Sequence, residues 1–222
     1  LPRPREHDAS DHPPALKEAY AAMGKDIAKA THQEMRSLVC AQCHVEYHFK
    51  AEPKNYLAFP WAKGTSVEAM IEYYDAAGFS DWAHPVSKTP MIKCQHPDYE
   101  MYSTGVHAYR GVSCADCHMP YHTEGGGKFT DHHVQSPLLA IERSCAVCHR
   151  WSEAEIRTRV EGIQTKVADA KRAAEEALVK AHFDVAAAMQ AGAAEDQLAP
   201  ARKLLRHAQF RWDYVSANNG MG

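Results

Sequence analysis

The chain has 222 residues, 45% of them hydrophobic, with 28 acidic against 25 basic side chains and a net charge of -3, so it is long enough for one or two domains and has no basic surplus for nucleic acid. No run of 18 apolar residues occurs, which excludes a membrane-spanning helix. The composition to be explained is 15 histidines and seven cysteines.

In chain order, Pro13-Pro14 predicts a helix opening there and running through Leu16, Ile27 and Met35 to Leu38-Val39. Thr65 and Glu68 have capping-box spacing for a short helix through Val67, Ile71 and Tyr74, closed by Gly78. Ser80 to Pro90 and the run Gly125-Gly126-Gly127 read as loops, and β-branched alternation is almost absent. After residue 150 the composition changes. Ser152 and Glu155 form a second capping box, and Ile156, Val160, Ile163, Val167, Ala170, Ala174, Ala177 and Ala181 follow in alternating steps of four and three. Gly192 to Pro200 breaks this seam, and Ala201, Leu205, Ala208, Trp212 and Val215 resume it. The predicted architecture is mainly α: a compact, loop-rich domain over 1–150, then a long helical hairpin over 151–222. An Ala-rich seam allows close helix approach, so this hairpin is either packed on its own domain or a homodimer interface.

The chemistry lies in a pentapeptide that occurs three times, Cys40-Ala-Gln-Cys43-His44, Cys114-Ala-Asp-Cys117-His118 and Cys145-Ala-Val-Cys148-His149, and it uses six of the seven cysteines. Two thiols at this spacing attach the two vinyl groups of one haem c, and the next histidine is placed to be its proximal ligand. Zinc would use paired Cys-x-x-Cys but needs no histidine after each pair, and disulfides leave all three histidines unexplained. The three motifs make 1–150 a multihaem c-type cytochrome domain, and three haems in about 150 residues must replace much of the aliphatic core. Their second axial ligands must come from the other histidines. Glu46 and Tyr47 follow the first motif, and Lys93, Gln95 and His96 lie downstream around the odd thiol, Cys94. Carboxylate, amide and backbone carbonyl oxygens suit Ca²⁺, and Tyr47 and His96 are proton donors of the kind a bound oxyanion requires. Cys94 reads as a small buried hydrophobe or as a thiol near the pocket.

In order, Cys-x-x-Cys-His-x-Glu-Tyr, Lys-x-Gln-His-Pro, Gly-x-His before Cys-x-x-Cys-His-Met-Pro, Thr-Asp-His, the last Cys-x-x-Cys-His and the closing Gln209-Phe-Arg-Trp-Asp-Tyr resemble the pentahaem cytochrome c nitrite reductases that form ammonium. That resemblance, from about residue 36 onward, implies Tyr47 and His96 as the catalytic pair at nitrite. It implies Ca²⁺ held by the Glu46 and Gln95 side chains and the carbonyls of Tyr47 and Lys93. His107 would be the distal ligand of the haem on Cys145 and Cys148, and His132, or its neighbour His133, a distal ligand of a haem carried elsewhere. It also implies a quinol-oxidising membrane cytochrome or other multihaem donor as partner.

The chain departs from that family in lacking the upstream Cys-x-x-Cys-Lys of the substrate haem, a further Cys-x-x-Cys-His and a pocket arginine. His7, His12 and His32 do not match the position of the distal ligand for the haem on Cys40 and Cys43, and the last distal histidine falls beyond Gly222. The expectation is therefore a mature or truncated chain, a C-terminal portion with three of five haems, whose substrate haem lies on a missing N-terminal part. Haem attachment of this type is extracytoplasmic, so a periplasmic location is expected. The alternatives are a non-catalytic multihaem electron-transfer cytochrome and an octahaem nitrite- or hydroxylamine-converting relative.

Overall fold

The computed structural model describes residues 13–218; His7 and His12 lie outside the described residues. Its first part is made of short helices and three separate two-stranded antiparallel ladders, and its last part of two long helices. The mainly α, loop-rich architecture with a long C-terminal helical hairpin is thus the observed one.

The helix expected from residue 13 to 39 is broken into pieces. Helix α1 spans Pro14–Ala22, a 3-10 turn Ile27–Lys29, and α2 His32–Leu38. Gly24, at φ +74°, takes the left-handed backbone that ends α1. Thr31 and Glu34 then form a capping box that starts α2 afresh. Apolar spacing continues across these breaks because Leu16, Tyr20, Ile27, Met35 and Leu38 all face one core, completed by Ala41, Val45, Phe59 and Trp61. Strands β1 (His48–Lys50) and β2 (Tyr56–Ala58) pair beside it, His48 opposite Ala58.

Helix α3, Val67–Ala76, is capped by Ser66, not Thr65: the Ser66 side chain accepts from the Ala69 amide, while the Thr65 hydroxyl bonds that of Ser103. Ser and Thr at adjacent positions both suit an N-cap, so packing chose between them. Gly78 closes α3 at φ +59°, as expected. The segment 80–90 contains β3 (Trp82–Ala83), which pairs with β4 (Pro90–Met91). Short helices α4 (Asp98–Ser103), α5 (Val106–Tyr109) and α6 (Cys114–His118) follow. The triple glycine is not an open loop but the tip of a hairpin, β5 (Tyr121–Glu124) with β6 (Gly127–Thr130), where Gly125 and Gly126 both take positive φ. Two successive positive φ values are what a tight two-residue hairpin turn demands, and glycine adopts them without strain.

Helix α7 runs from Glu153 to Gln190 behind the predicted Ser152/Glu155 capping box, and its 38 residues correspond to about 57 Å. Helix α8, Glu195–Ala217, returns antiparallel. The break between them is shorter than expected, because Pro200 lies inside α8. The carbonyl that its missing N–H leaves unpaired is that of Asp196, exposed in the first turn, where water can satisfy it. The two helices meet through Leu178, Val185 and Leu205, flanked by Ala181 and Met189. That line is offset from the predicted seam, of which Ile163, Ala170, Ala174 and Ala177 are exposed. Phe210 and Tyr214 of α8 join Met70, Ile71 and Tyr74 of α3 with Ile92 and Cys94 in a second core. That core places the 93–96 segment between α3 and α8.

Candidate haem-binding and catalytic site

Each pentapeptide folds into a single helical turn. In the first and third motifs the histidine amide donates to the carbonyl of the first cysteine at 2.9 Å, and in the second the whole motif is α6, capped by Ser113 and Asp116. One turn brings both thiols and the histidine to one side of the backbone. The three motifs also form a row. The Cys40 thiol takes a hydrogen bond from Cys114, which lowers it to about 7 and pushes Cys114 up. Cys117 is raised to about 11, first by burial and then by nearby Cys145 and Cys148. Arg36 and Gln33 of α2 hold Asp116 of α6, and the Cys114 amide donates to Ser37, so α2 fixes the first two motifs together.

These residues fit haem on three grounds. His44 Nδ1 is paired with Asp98 at 2.8 Å and His118 Nδ1 with the Gln135 carbonyl at 3.0 Å, leaving Nε2 of each ring as the nitrogen for iron. His107 and His149 come together with ring centres 6.2 Å apart. That closeness would let one haem iron take both imidazoles as ligands. Finally, the segments that carry and connect the motifs expose large apolar side chains: Val39 is 55% exposed, Tyr109 84%, Val134 68%, Leu139 71% and Val147 72%. A porphyrin is the apolar surface that would cover them. His132 stands exposed after β6, where Asp131 engages the neighbouring His133 and Arg143. His32 is exposed at the first turn of α2.

Tyr47 and His96 are brought together across 49 residues of sequence, with ring centres 6.4 Å apart. Behind them Glu46 is fully buried, its carboxylate accepting from Tyr74 Oη at 2.8 Å, the Gln95 amide at 2.5 Å and Cys94 Sγ at 3.3 Å. Burial raises Glu46 to about 7, against those three hydrogen bonds and with Asp81 adding to the rise. Three successive amides meet three carboxylates here: Lys93 N donates to Asp81, Cys94 N to Asp213 and Gln95 N to Glu46. Asp213 is also pushed up, by burial. A buried carboxylate among others of the same sign fits a cation. Among the described residues no group of three or more His, Cys, Asp or Glu is arranged to hold a metal. The candidate calcium donors are instead one carboxylate, one amide and two carbonyls. Cys94 is buried, and its thiol, driven far up by burial first and then by Glu46, lies at hydrogen-bond distance from that carboxylate, so it is at once a small buried side chain and a thiol beside the candidate calcium donors.

Several supporting residues carry no sequence signal. Glu100, fully buried on α4, accepts from the Glu46 amide at 3.0 Å and from Trp61 Nε1 at 2.7 Å, and burial pushes it up to about 8. Asp98 and the Gln135 carbonyl, on His44 and His118, are equally silent.

The model of the cytochrome c552 family matches residues 9–222. The chain belongs to the cytochrome c552 family. Cytochrome c-552 of Bacteroides fragilis is 58% identical over 207 residues, and that of Parabacteroides distasonis 56% over the same length; each match covers 93% of this chain and 42% of the relative. The Aliarcobacter butzleri cytochrome c-552 is 47% identical over 212 residues, with 43% of it covered. This cytochrome c552 chain therefore spans less than half the length of these relatives. A solved structure of cytochrome c nitrite reductase from Desulfovibrio desulfuricans, described as having two calcium sites in its catalytic subunit, superimposes with a TM-score of 0.87 at 42% identity, over 94% of this chain and 48% of the other.

Proposed function

We propose that this chain is the portion of a dissimilatory nitrite reductase that carries three haem c groups and the proton-donating side of the nitrite pocket. The juxtaposition of Tyr47 and His96 carries this reading, because two proton donors from distant segments meet next to the buried carboxylate of Glu46. The likeness to the Desulfovibrio desulfuricans enzyme supports it.

Cys40/Cys43, Cys114/Cys117 and Cys145/Cys148 would each hold one haem, with His44, His118 and His149 proximal and His107 distal to the third. Bound haem would supply one-electron transfer along the row of motifs. His132, or its neighbour His133, would serve a haem borne outside these residues, as would the iron that binds nitrite, within a five-haem enzyme. Nitrite reduction to ammonium takes up six electrons and eight protons and releases two waters, so protons must reach the substrate oxygens as the electrons arrive. Tyr47 Oη and His96 are the groups that hydrogen-bond those oxygens and hand over protons. Glu46 and Gln95 side chains with the Tyr47 and Lys93 carbonyls would hold Ca²⁺, which neutralises the buried charge of Glu46 and fixes the peptide units carrying Tyr47 and His96. The protein would work in the periplasm as a homodimer through α7, receiving electrons from a quinol-oxidising membrane cytochrome or another multihaem donor.

The test is His96→Ala in the full-length holoprotein. Loss of a general acid lowers turnover by about 10²- to 10⁴-fold. Nitrite-dependent ammonium formation should fall on that scale with haem content unchanged, and parental turnover would remove His96 from the mechanism.

A further inference from the structure

The three proximal histidines sit in three different environments. His44 Nδ1 faces the carboxylate of Asp98 at 2.8 Å, His118 Nδ1 faces the neutral carbonyl of Gln135 at 3.0 Å, and the His149 ring stacks on Trp151 with centres 5.2 Å apart and planes 9° apart. Only the first of these partners carries a charge. An anion on the outer nitrogen makes an imidazole a stronger electron donor to its metal, and stabilises the more positive, oxidised iron over the reduced one.

We propose that Asp98 is a positioning and tuning residue that lowers the reduction potential of the haem on Cys40 and Cys43. The geometry around it is built to hold it there. The Tyr99 amide donates to the His44 carbonyl at 3.0 Å, so α4 grips His44 by backbone and ring at once. Tyr99 stacks on the buried Trp61, whose indole N–H is bonded to Glu100 of the same helix. The Asp98 amide bonds the His96 carbonyl at 2.8 Å. The segment that presents the proton-donating His96 therefore ends in the anion that sets the driving force of one relay haem.

The inference rests on the reading of His44 as a proximal ligand, and the experiment separates the two. In full-length holoprotein, mass analysis of the peptide containing Cys40 and Cys43 establishes its haem, and an EPR-monitored redox titration follows each low-spin haem in the parent, D98N and D98E. D98N replaces the anion by a neutral amide. One haem component is expected to move upward by at least tenfold in its redox equilibrium, about 59 mV for one electron, while the others stay. D98E, whose carboxylate still reaches towards Nδ1, is expected between the parent and D98N, and it provides the same comparison if D98N assembles poorly. Haem on the peptide with unmoved potentials in both variants would overturn the role of Asp98 alone. No haem on the peptide in the parent would overturn both readings.

Discussion

Glu100 shows how a buried acid can organise a site without touching substrate. Its Oε1 takes two N–H donors, from Trp61 and from Glu46, while Oε2 is buried without a partner. Replacing it by alanine leaves two buried donors unmet, at about 1–3 kcal/mol each. Glu100→Gln keeps an acceptor for both donors and should cost about 1 kcal/mol or less. The pH dependence distinguishes the ionisable acid from its amide. Burial raises Glu100 to about 8 in the folded chain, so the folded state holds the proton more tightly than the unfolded state. Its contribution is complete below the unfolded value of about 4.3 and is lost as pH rises through about 8. Thermal denaturation across that window should show the parent losing stability with pH and Glu100→Gln losing less; parallel curves would assign the dependence to another group.

At the scale of elements, Asp75 ties α3 to α8. Its carboxylate takes Arg206 Nε at 3.2 Å and His207 Nε2 at 2.7 Å, and Arg206, 7% exposed, also donates to the Phe79 and Pro90 carbonyls. Burial alone would raise Asp75, but His207 and Arg206 outweigh it and hold the carboxyl below its usual range. Removing one partner of a fully buried pair costs about 3–5 kcal/mol; Asp75 is partly exposed, so Asp75→Asn should cost about 2 kcal/mol. The lowered folded value puts the stabilisation above the unfolded value of about 3.9 and loses it as pH falls through the folded one. Urea denaturation should find parent and Asp75→Asn converging at acid pH, and a gap unchanged down to pH 2 would remove the ion pair from the account. Element ends were legible where a side chain makes the cap, as at Ser152. They were misplaced where two cap-forming residues compete, as at Thr65 and Ser66, or where periodic apolar residues span a break, as from Leu16 to Leu38.

For the whole molecule, the exposed side of α7 carries large apolar side chains. Val179 is 53% exposed and Phe183 62%, next to the buried Leu178 and His182 that face the body. If two copies meet along α7, Phe183→Asp with Val179→Asp should convert a dimer to a monomer in sedimentation while leaving the haem spectrum intact; an unchanged dimer would place the interface elsewhere.

What the sequence by itself determined was the covalent chemistry and the helical class. The motif spacing is local, since two thiols and a histidine fit one helical turn whatever surrounds them, and the periodicity of residues 153–217 is likewise a property of consecutive residues. The ordered motifs, through the resemblance they carry, also pair Tyr47 with His96, whose rings lie 6.4 Å apart. Only the tertiary structure decided which carboxylate faces which amide. The meeting of Asp98 with His44, of Glu100 with the Glu46 amide and of Asp213 with Cys94 joins positions 54, 54 and 119 residues apart. Such pairs depend on how α4 and α8 pack against the first motif and α3, and a single sequence holds no periodicity or spacing that encodes a partner at that distance.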